Sequence, residues 1–207
     1  MNAAGEPMPE VYTRRLQLRL PRVADAPDIA RLMTPGISAR LASWPMQMSV
    51  EDATLRIEDA LSDHAAGVAL PLLMCCRGSD EVLGWIAGRR NAHVPSLASF
   101  TYWIGEAFHG QGLMREAAPA ALAEVFARLG VDRVQAAVQS DNAQSRGVLR
   151  ALGMRVQELG QIWCPARQRH EDCEWWAVES PAAWREHGLA ATPARVQPLS
   201  PRIAAAG

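Results

Sequence analysis

The sequence contains no lysine, and all 21 of its basic residues are arginine. No side chain carries a primary amine, so amine modification within the chain is confined to its N-terminus. The 22 acidic residues bring the net charge to −1. Proteins that bind nucleic acids generally need an excess of positive charge to neutralise phosphates. The composition therefore argues against a nucleic-acid partner.

Long hydrophobic runs are also absent. No apolar stretch approaches the ~20 residues that a transmembrane helix needs. At the N-terminus, Glu6, Pro7, Pro9 and Glu10 stand where a signal peptide would have a basic and then an apolar segment. We therefore expect no membrane attachment and a cytoplasmic protein.

Cysteine is scarce, with residues only at positions 75, 76, 164 and 173. These spacings match neither a metal site nor a dense disulfide framework. We expect reduced thiols and no metal. A catalytic thiol is not favoured, because no Cys–His pairing is visible nearby in the sequence.

The chain has 207 residues, of which 49% are hydrophobic. This length supports one sizeable core. We expect a single domain at residues 11–187. Residues 1–10 are polar and contain proline, and residues 188–207 are rich in alanine and proline, so both segments are predicted to be disordered.

Hydrophobic periodicity predicts alternating strands and helices along this domain. The predicted strands lie at residues 16–20, 68–77, 81–89, 98–104, 131–139, 154–163 and 172–179. The predicted helices lie at residues 24–33, after Ser49, after the glycines at 110 and 112, and at 142–152. Ser49 and Asp52 have the spacing of a capping box. Pro119 falls inside the third helix, where we expect either a kink or a tolerated loss of one hydrogen bond.

The segment at residues 102–117 carries the most information, because a strand there breaks into a glycine-flanked loop and continues as a helix. Gly110 and Gly112 allow the backbone to approach a ligand without a Cβ clash. The amides of residues 111–115 would be unpaired donors at a helix N-terminus, where an anion is favoured. This predicts a phosphate-binding loop, although the Gly-x-Gly pattern alone fits an ordinary tight turn better.

A second informative segment follows the strand at residues 131–139. Asp141 or Asn142 can cap a short helix, and Gly153 stands at the expected left-handed C-cap. Strand, Gly-Gln-Gly loop, helix and strand, followed by Asn142-x-x-Ser145 and Leu152-Gly153-Met154, resemble the acyl-CoA-binding half of the GNAT acetyltransferases. The Tyr102-Trp-Ile-Gly strand and the Asn-x-x-Ser helix are similar to the branch that acetylates the N-termini of ribosomal proteins.

The resemblance covers about residues 14–184. It implies the α/β GNAT fold, in which a mixed, mostly antiparallel sheet of about seven strands is flanked by about four helices and splayed at the acyl-CoA site. It also implies direct transfer of an acetyl group from acetyl-CoA to a primary amine in a ternary complex, without metal.

The resemblance implies three kinds of cofactor contact. Backbone amides of the loop would hold the pyrophosphate, backbone groups of the splayed strand would bind the thioester and the pantetheine arm, and Asn142 would bond the arm from the other side. Arg115 is a further phosphate candidate. The predicted cofactor-binding residues are Trp103, Ile104, His109, Gly110, Gln111, Gly112, Leu113, Met114, Arg115 and Asn142.

The sequence departs from the family pattern at four places. His109 and Met114 replace the first and last residues of the Arg/Gln-x-x-Gly-x-Gly/Ala loop, so the Met114 side chain must point into the core. Leu149 occupies the position where many GNAT enzymes have a tyrosine. Cys164 aligns with the glutamate that serves as the base in the ribosomal-protein branch.

Two residues are predicted to be catalytic. Ser145 is expected at the sulfur of the leaving thiolate, and its alternative is a solvent-facing helix serine. Glu106 is a candidate general base, and its alternative is a surface carboxylate near a helix N-terminus. Loop residues on the expected acceptor side do not stand out, namely His93, His170, Glu171 and Asp172.

We expect an acetyl-CoA-dependent N-acetyltransferase that acts on a protein N-terminus or a small-molecule amine, as a monomer or homodimer. The first two helices and the last hairpin should form the acceptor pocket, with Trp44, Met46, Met48 and Trp163. The alternative is a non-catalytic acyl-CoA-binding sensor. A dinucleotide-binding dehydrogenase is disfavoured because position 115 is arginine and the following strand ends in Gln139.

Overall fold

A computed structural model of the protein describes residues 10–181. The predicted disordered segments lie outside this range except for Glu10, so they remain predictions, as does the domain boundary at residue 187.

The described residues form eight strands and five helices. The strands are β1 (Val11–Tyr12), β2 (Leu16–Arg19), β3 (Ala69–Cys76), β4 (Val82–Arg90), β5 (Leu97–Ile104), β6 (Arg133–Val138), β7 (Arg155–Cys164) and β8 (Arg169–Glu179). The helices are α1 (Ala26–Leu32), α2 (Pro35–Ser38), α3 (Val50–Ala65), α4 (Leu113–Leu129) and α5 (Ala143–Ala151).

All eight strands belong to one sheet, in the order β1-β2-β3-β4-β5-β6-β8-β7. Within the part of the chain that the structure describes, β5 and β6 are the only parallel neighbours. The predicted α/β class and mixed, mostly antiparallel sheet are therefore confirmed. The structure adds the two-residue edge strand β1 and the four-residue helix α2, which are too short to produce a periodic pattern.

Most predicted element positions agree with the structure. The hairpin β3–β4 lies within a residue or two of its prediction, and Ser49 caps α3 with the predicted capping box. The last hairpin differs, because β8 begins at Arg169 and shortens the predicted loop at residues 165–171. Gln168 makes this tighter connection by adopting a left-handed conformation with φ 50°.

Two hydrophobic cores cover the two faces of the sheet. On one face, α4 and α5 pack over residues such as Leu72, Phe100 and Val134. On the other, α1, α2 and α3 pack over a group that includes Trp85 and Trp103. Helix α4 runs continuously through Pro119, so the lost hydrogen bond to the carbonyl of residue 115 is tolerated near the first turns.

Helix α4 packs against the sheet where β4 has no side chain. An added Cβ at Gly88 would lie 2.4 Å from a methyl group of Val125. Such a distance is far inside van der Waals contact, and both residues are buried in the structure. Glycine at this position therefore sets how closely α4 approaches the sheet.

Gly88→Ala should lower the free energy of unfolding by about 1–3 kcal/mol, because the methyl group overpacks the contact with Val125. The matched control is Gly147→Ala in α5, where an added Cβ has no neighbour within 4 Å. That change should stabilise the protein by about 0.5–1 kcal/mol, since alanine favours the helix interior. Denaturant titration of both variants checks this, and a Gly88→Ala protein as stable as the parent would contradict the packing argument.

Candidate active site

The sheet splits between β5 and β6. The two strands pair only at Leu97–Ser99 with Arg133–Gln135, and β5 is no longer paired with β6 from Phe100 onward. Beyond this point β5 remains paired with β4 as far as Ile104, whereas β6 remains paired with β8 as far as Val138. The strands therefore separate in a wedge, and the predicted splay is present in the structure.

The wedge exposes backbone groups of β5 that have no strand partner. Gly105 donates its amide to the Leu83 carbonyl at 2.9 Å, and the Trp103 carbonyl is turned toward Gly84 of β4. Since peptide groups of successive residues alternate between the two neighbouring strands, the groups of Tyr102 and Ile104 face the wedge instead. Sequence reasoning named Trp103 and Ile104, and the register places the Trp103 groups against β4.

The Gly-x-Gly loop closes one end of the wedge. Gly110 and Gly112 adopt left-handed conformations with φ 74° and 71°, and no atom comes closer than 4.0 Å to a Cβ built on either. Gly112 is the N-cap of α4. The amides of the first turn of a helix have no intrahelical acceptor. The loop thus combines free amide donors, the positive end of the helix dipole and room for a phosphate.

The two departures in this loop are structurally accommodated. The His109 ring donates to the Ile104 carbonyl at 2.9 Å, which ties the loop to the end of β5. Arginine or glutamine, the usual residues there, also carry N–H donors. Met114 is 8% exposed and packs into the core under α4, so its side chain points away from the loop surface.

Arg15, which was not predicted from the sequence, holds the loop in place through hydrogen bonds. Its Nε donates to Glu116 at 2.7 Å and its Nη1 donates to the Gln111 carbonyl at 3.1 Å. Glu116 also accepts from the Arg15 amide and the Thr13 hydroxyl, each at 2.7 Å. Burial opposes the ionised form of Glu116, but these bonds outweigh it and hold the pKa of Glu116 at about 2. No periodic pattern connects these residues, which lie about a hundred positions apart.

Helix α5 closes the other side of the wedge. The Asn142 side chain accepts from the Ser145 amide at 3.1 Å as the N-cap, which is the structural role weighed for it. Ser145 is half-buried, and its Oγ lies 2.7 Å from the Tyr102 hydroxyl. Burial raises the pKa of Tyr102 to about 12, and the bond to Ser145 partly opposes this. Sequence reasoning missed the Tyr102 side chain, because it counted tyrosines only on α5.

Three arginines near the wedge differ in what they contact. Arg115 is exposed and lines the cleft beside the loop. Arg146 pairs with the buried Glu174 at 3.2 Å, and Arg150 stacks over Trp176 at 5.7 Å, so both are engaged by β8. Leu149 is 1% exposed and belongs to the core.

Glu106 lies just after β5, at the rim of the cleft. It is exposed, and its Oε1 accepts from the Thr34 hydroxyl at 2.8 Å. The same oxygen would lie 2.3 Å from a Cβ at Gly36, so it sits against the first turn of α2. The position of Glu106 fits a general base, because the carboxylate lines the cleft, and it equally fits a surface carboxylate near a helix N-terminus.

Glu171 is unsuited to act as a base. It accepts from Arg167 at 2.7 and 2.8 Å, from Arg169 at 2.9 Å and from Gln139 at 2.9 Å. The bonds from Arg167 contribute most to lowering its pKa to about 2. Arg167 also donates to the carbonyls of Ser38 and Leu41 at 2.9 Å each, so this cluster fixes the last hairpin to the segment after α2.

Glu158 on β7 is a second carboxylate that sequence reasoning missed. It lies opposite Trp175, which in turn lies opposite Ala137 beside the wedge. It is half-buried and lines the cleft. In residues 10–181, ion pairs engage Glu171 and Glu174, and none involves Glu158 or Glu106.

The side of the cleft that was predicted to bind the acceptor is aromatic. Trp44 meets Trp85 and Trp103 edge to face at 5.7 and 5.2 Å, and Arg56 lies 4.3 Å from a Trp44 ring. The Trp163 and His170 rings meet at a tilt of 57°, with their centroids 5.1 Å apart. Of the predicted pocket residues, Trp44, Met48 and Trp163 line the cleft, and Met46 is exposed outside it.

His93 and His170 are exposed, and Asp172 accepts from Gln161 at 2.8 Å.

One continuous cleft of about 2230 Å³ joins the loop, the wedge and the aromatic side. Its lining residues come from both faces of the sheet. A pocket for one small molecule usually measures ~300–1,000 Å³. The cleft is therefore larger than a pocket for one small molecule requires.

The family model described as an acetyltransferase (GNAT) domain matches residues 15–155. The chain belongs to the GNAT acetyltransferase family. This confirms the expectation of an acetyl-CoA-dependent acyltransferase. A search of curated proteins gave no match.

Solved structures of GNAT acetyltransferases share this fold. The ribosomal L7/L12 alpha-N-protein acetyltransferase RimL in complex with coenzyme A has a TM-score of 0.70 and 22% identity over 83% of this chain and 98% of its own. The Microcin C7 self-immunity acetyltransferase MccE, with acetyl-CoA and AMP, has a TM-score of 0.70 and 19% identity, covering 81% and 93%. The ribosomal-protein-S5-alanine acetyltransferase of Vibrio fischeri has a TM-score of 0.68 and 19% identity, covering 84% and 98%.

Two further features of this GNAT domain concern membranes and metals. None of the helices between residues 10 and 181 is both long and apolar enough to cross a bilayer. Over the same range, no group of three or more histidine, cysteine or acidic side chains is arranged to hold a metal ion.

Glu116→Gln should lower the melting temperature at neutral pH by removing the charge that Arg15 binds. Because the pKa of Glu116 is held below its usual 4.5, its contribution is complete above that pH and is lost as the pH falls toward about 2. In thermal melts, the difference in melting temperature between Glu116→Gln and the parent should therefore narrow as the pH falls from 4.5 toward about 2. Glu124→Gln on the same helix, which breaks a single bond to Arg128, is the control. A difference in melting temperature that does not change with pH would contradict a stabilising role for the Glu116 charge.

Proposed function

We propose that this protein transfers an acetyl group from acetyl-CoA to a primary amine, on a protein N-terminus or a small molecule, by direct attack in a ternary complex. The observation that carries the proposal is the continuous cleft through the wedge, with the glycine loop at one end and the aromatic side at the other. A cleft wide enough for both substrates lets them react without a covalent enzyme intermediate.

The loop would hold the pyrophosphate through the amides of residues 111–115 and the exposed Arg115. Glycine at 110 and 112 leaves this surface free of side chains. Along the wedge, the peptide groups of Tyr102 and the amide of Ile104 would bond the pantetheine arm and polarise the thioester carbonyl, while the Ile104 carbonyl is bonded by His109. This assigns to Tyr102 the backbone role that sequence reasoning gave to Trp103.

Ser145 would donate a hydrogen bond to the sulfur as the thiolate leaves. It lines the cleft in the first turn of α5, next to the wedge. Asn142 fixes that turn by capping it, so its contribution to the cofactor would be made through Ser145 and the helix N-terminus. Leu149 is buried and cannot replace the serine.

Glu106 would accept the proton of the attacking amine, directly or through water. It is anchored by Thr34 and exposed to the cleft beside the end of β5. An amine that is already neutral needs only to be positioned, so the base matters most when the amine arrives protonated. Glu158 is another carboxylate that lines the cleft, and it forms no ion pair within residues 10–181.

Proteins of this fold differ in what they are named for. RimL is named as a ribosomal L7/L12 alpha-N-protein acetyltransferase, the Vibrio fischeri protein as a ribosomal-protein-S5-alanine acetyltransferase, and MccE as a Microcin C7 self-immunity acetyltransferase. The open aromatic side of the cleft suits a protein N-terminus or a small-molecule amine.

The function is tested by calorimetric titration with acetyl-CoA and then by thiol release with a panel of amines and N-terminal peptides, with NADH as a binding control. Binding with amine-dependent release supports the enzyme. Binding without release to any acceptor would favour a sensor, and no binding would overturn the cofactor assignment.

Gly112→Ala should raise the KM for acetyl-CoA about tenfold, which corresponds to about 1.4 kcal/mol, because the methyl group strains the loop and covers its amides. Gly67→Ala is a matched control, since Gly67 follows α3 outside the cleft and has the same φ of 71°. Both variants should lose similar stability in thermal melts. Steady-state kinetics should show a changed KM only for Gly112→Ala, and an equal change in both would contradict the loop's role.

Glu106→Gln should lower kcat/KM at neutral pH by about 10²-fold, the usual contribution of a general base. The deficit should shrink as the pH approaches the pKa of the acceptor amine, where the amine needs no base. A pH–rate profile with one acceptor measures this, and Glu158→Gln is the parallel variant. If only Glu158→Gln shows the pH-dependent loss, then the base is Glu158.

A further inference from the structure

We infer that Tyr102 is a positioning residue for the leaving thiolate, because its hydroxyl bonds Ser145 and turns the serine proton toward the sulfur. The inference rests on the proposed function and deepens it. It concerns the tyrosine side chain and is separate from the backbone role of the same residue.

The Tyr102 and Ser145 hydroxyls can meet because β5 separates from β6. Tyr102 lies on the part of β5 that has left β6, and its side chain extends from the face covered by α4 and α5. Its Oη reaches the Ser145 Oγ at 2.7 Å and the Ser145 carbonyl at 3.2 Å. The Phe100 ring lies 5.8 Å away by ring centroids and supports the tyrosine from its own strand. Both hydroxyl-bearing residues line the cleft.

The two distances allow two arrangements of the hydroxyl protons. If Tyr102 donates to the Ser145 carbonyl, then Ser145 donates to Tyr102 and has no proton left for a ligand. If Tyr102 donates to the Ser145 Oγ, then the serine proton is free to point into the cleft. A negatively charged sulfur favours the second arrangement, because only that one presents a donor to it. The 2.7 Å contact between the two hydroxyls is a hydrogen bond in both arrangements, whereas the 3.2 Å contact to the carbonyl is one only in the first.

The burial of Tyr102 keeps it a donor. Its pKa is raised to about 12, so the hydroxyl stays protonated at working pH and does not compete as a base. No proton has to leave the pair during the reaction. The amine attacks the acetyl carbon and loses a proton to Glu106, directly or through water, and the C–S bond breaks. The sulfur keeps the electron pair while Ser145 donates a hydrogen bond to it.

The test compares Tyr102→Phe, Ser145→Ala and the double variant at saturating acetyl-CoA. Tyr102→Phe should lower kcat about tenfold, as expected when an oriented donor to developing charge is lost. The KM for acetyl-CoA should stay within about twofold, since the donor acts mainly on the departing sulfur. The double variant should be no slower than Ser145→Ala alone, because the tyrosine acts through the serine.

Tyr12→Phe is the matched control, as Tyr12 is the only other tyrosine and lies 53% exposed on the edge strand. It should leave kcat unchanged. An unchanged kcat in Tyr102→Phe, or losses that multiply in the double variant, would overturn the inference and leave the proposed function standing. A parent protein that binds acetyl-CoA but transfers acetyl to no amine would overturn both.

Discussion

The separation of β5 from β6 is the constraint on which the site depends. A fully paired sheet would use the peptide groups of Tyr102 and Ile104 as ladder hydrogen bonds and would keep the two faces apart. Pairing that ends at Ser99 instead leaves donors and acceptors free in the middle of the sheet. It also joins the two faces of the sheet into one cleft, which is the feature that the proposed function uses.

Arginine clusters hold the two sides of this opening in place. Arg15 and Glu116 fix the glycine loop to the edge hairpin β1–β2, and Arg167 and Glu171 fix the last hairpin to the segment after α2. Each guanidinium donates several hydrogen bonds in a fixed planar geometry, which an ammonium group could not reproduce. The absence of lysine therefore coincides with a scaffold in which cations act as rigid connectors, while the cleft keeps Glu106 and Glu158 free of ion pairs.

Local signals were sufficient for the loop and the caps. Ser49 is an N-cap and Gly153 is left-handed, as expected from residue type and spacing, and Asn142 is the N-cap of α5, one of the two residues predicted for it. Gly110 and Gly112 lie in the predicted loop before α4, and the structure shows that both are left-handed. Contacts between distant segments were not predictable in this way. Tyr102 meets Ser145 across 43 positions and Arg15 meets Glu116 across 101, and neither pair has a periodic signature.

The sequence by itself determined the family, the order of most elements and the loop that would bind phosphate, because these depend on backbone preferences and on short motifs read within one segment. Tertiary structure decided which carboxylates are free, which strand register exposes Tyr102 instead of Trp103, and which hydroxyl supports Ser145. These outcomes depend on how β5, β6, α5 and β7 are placed relative to one another. That placement is set by packing and by hydrogen bonds between segments far apart in the chain.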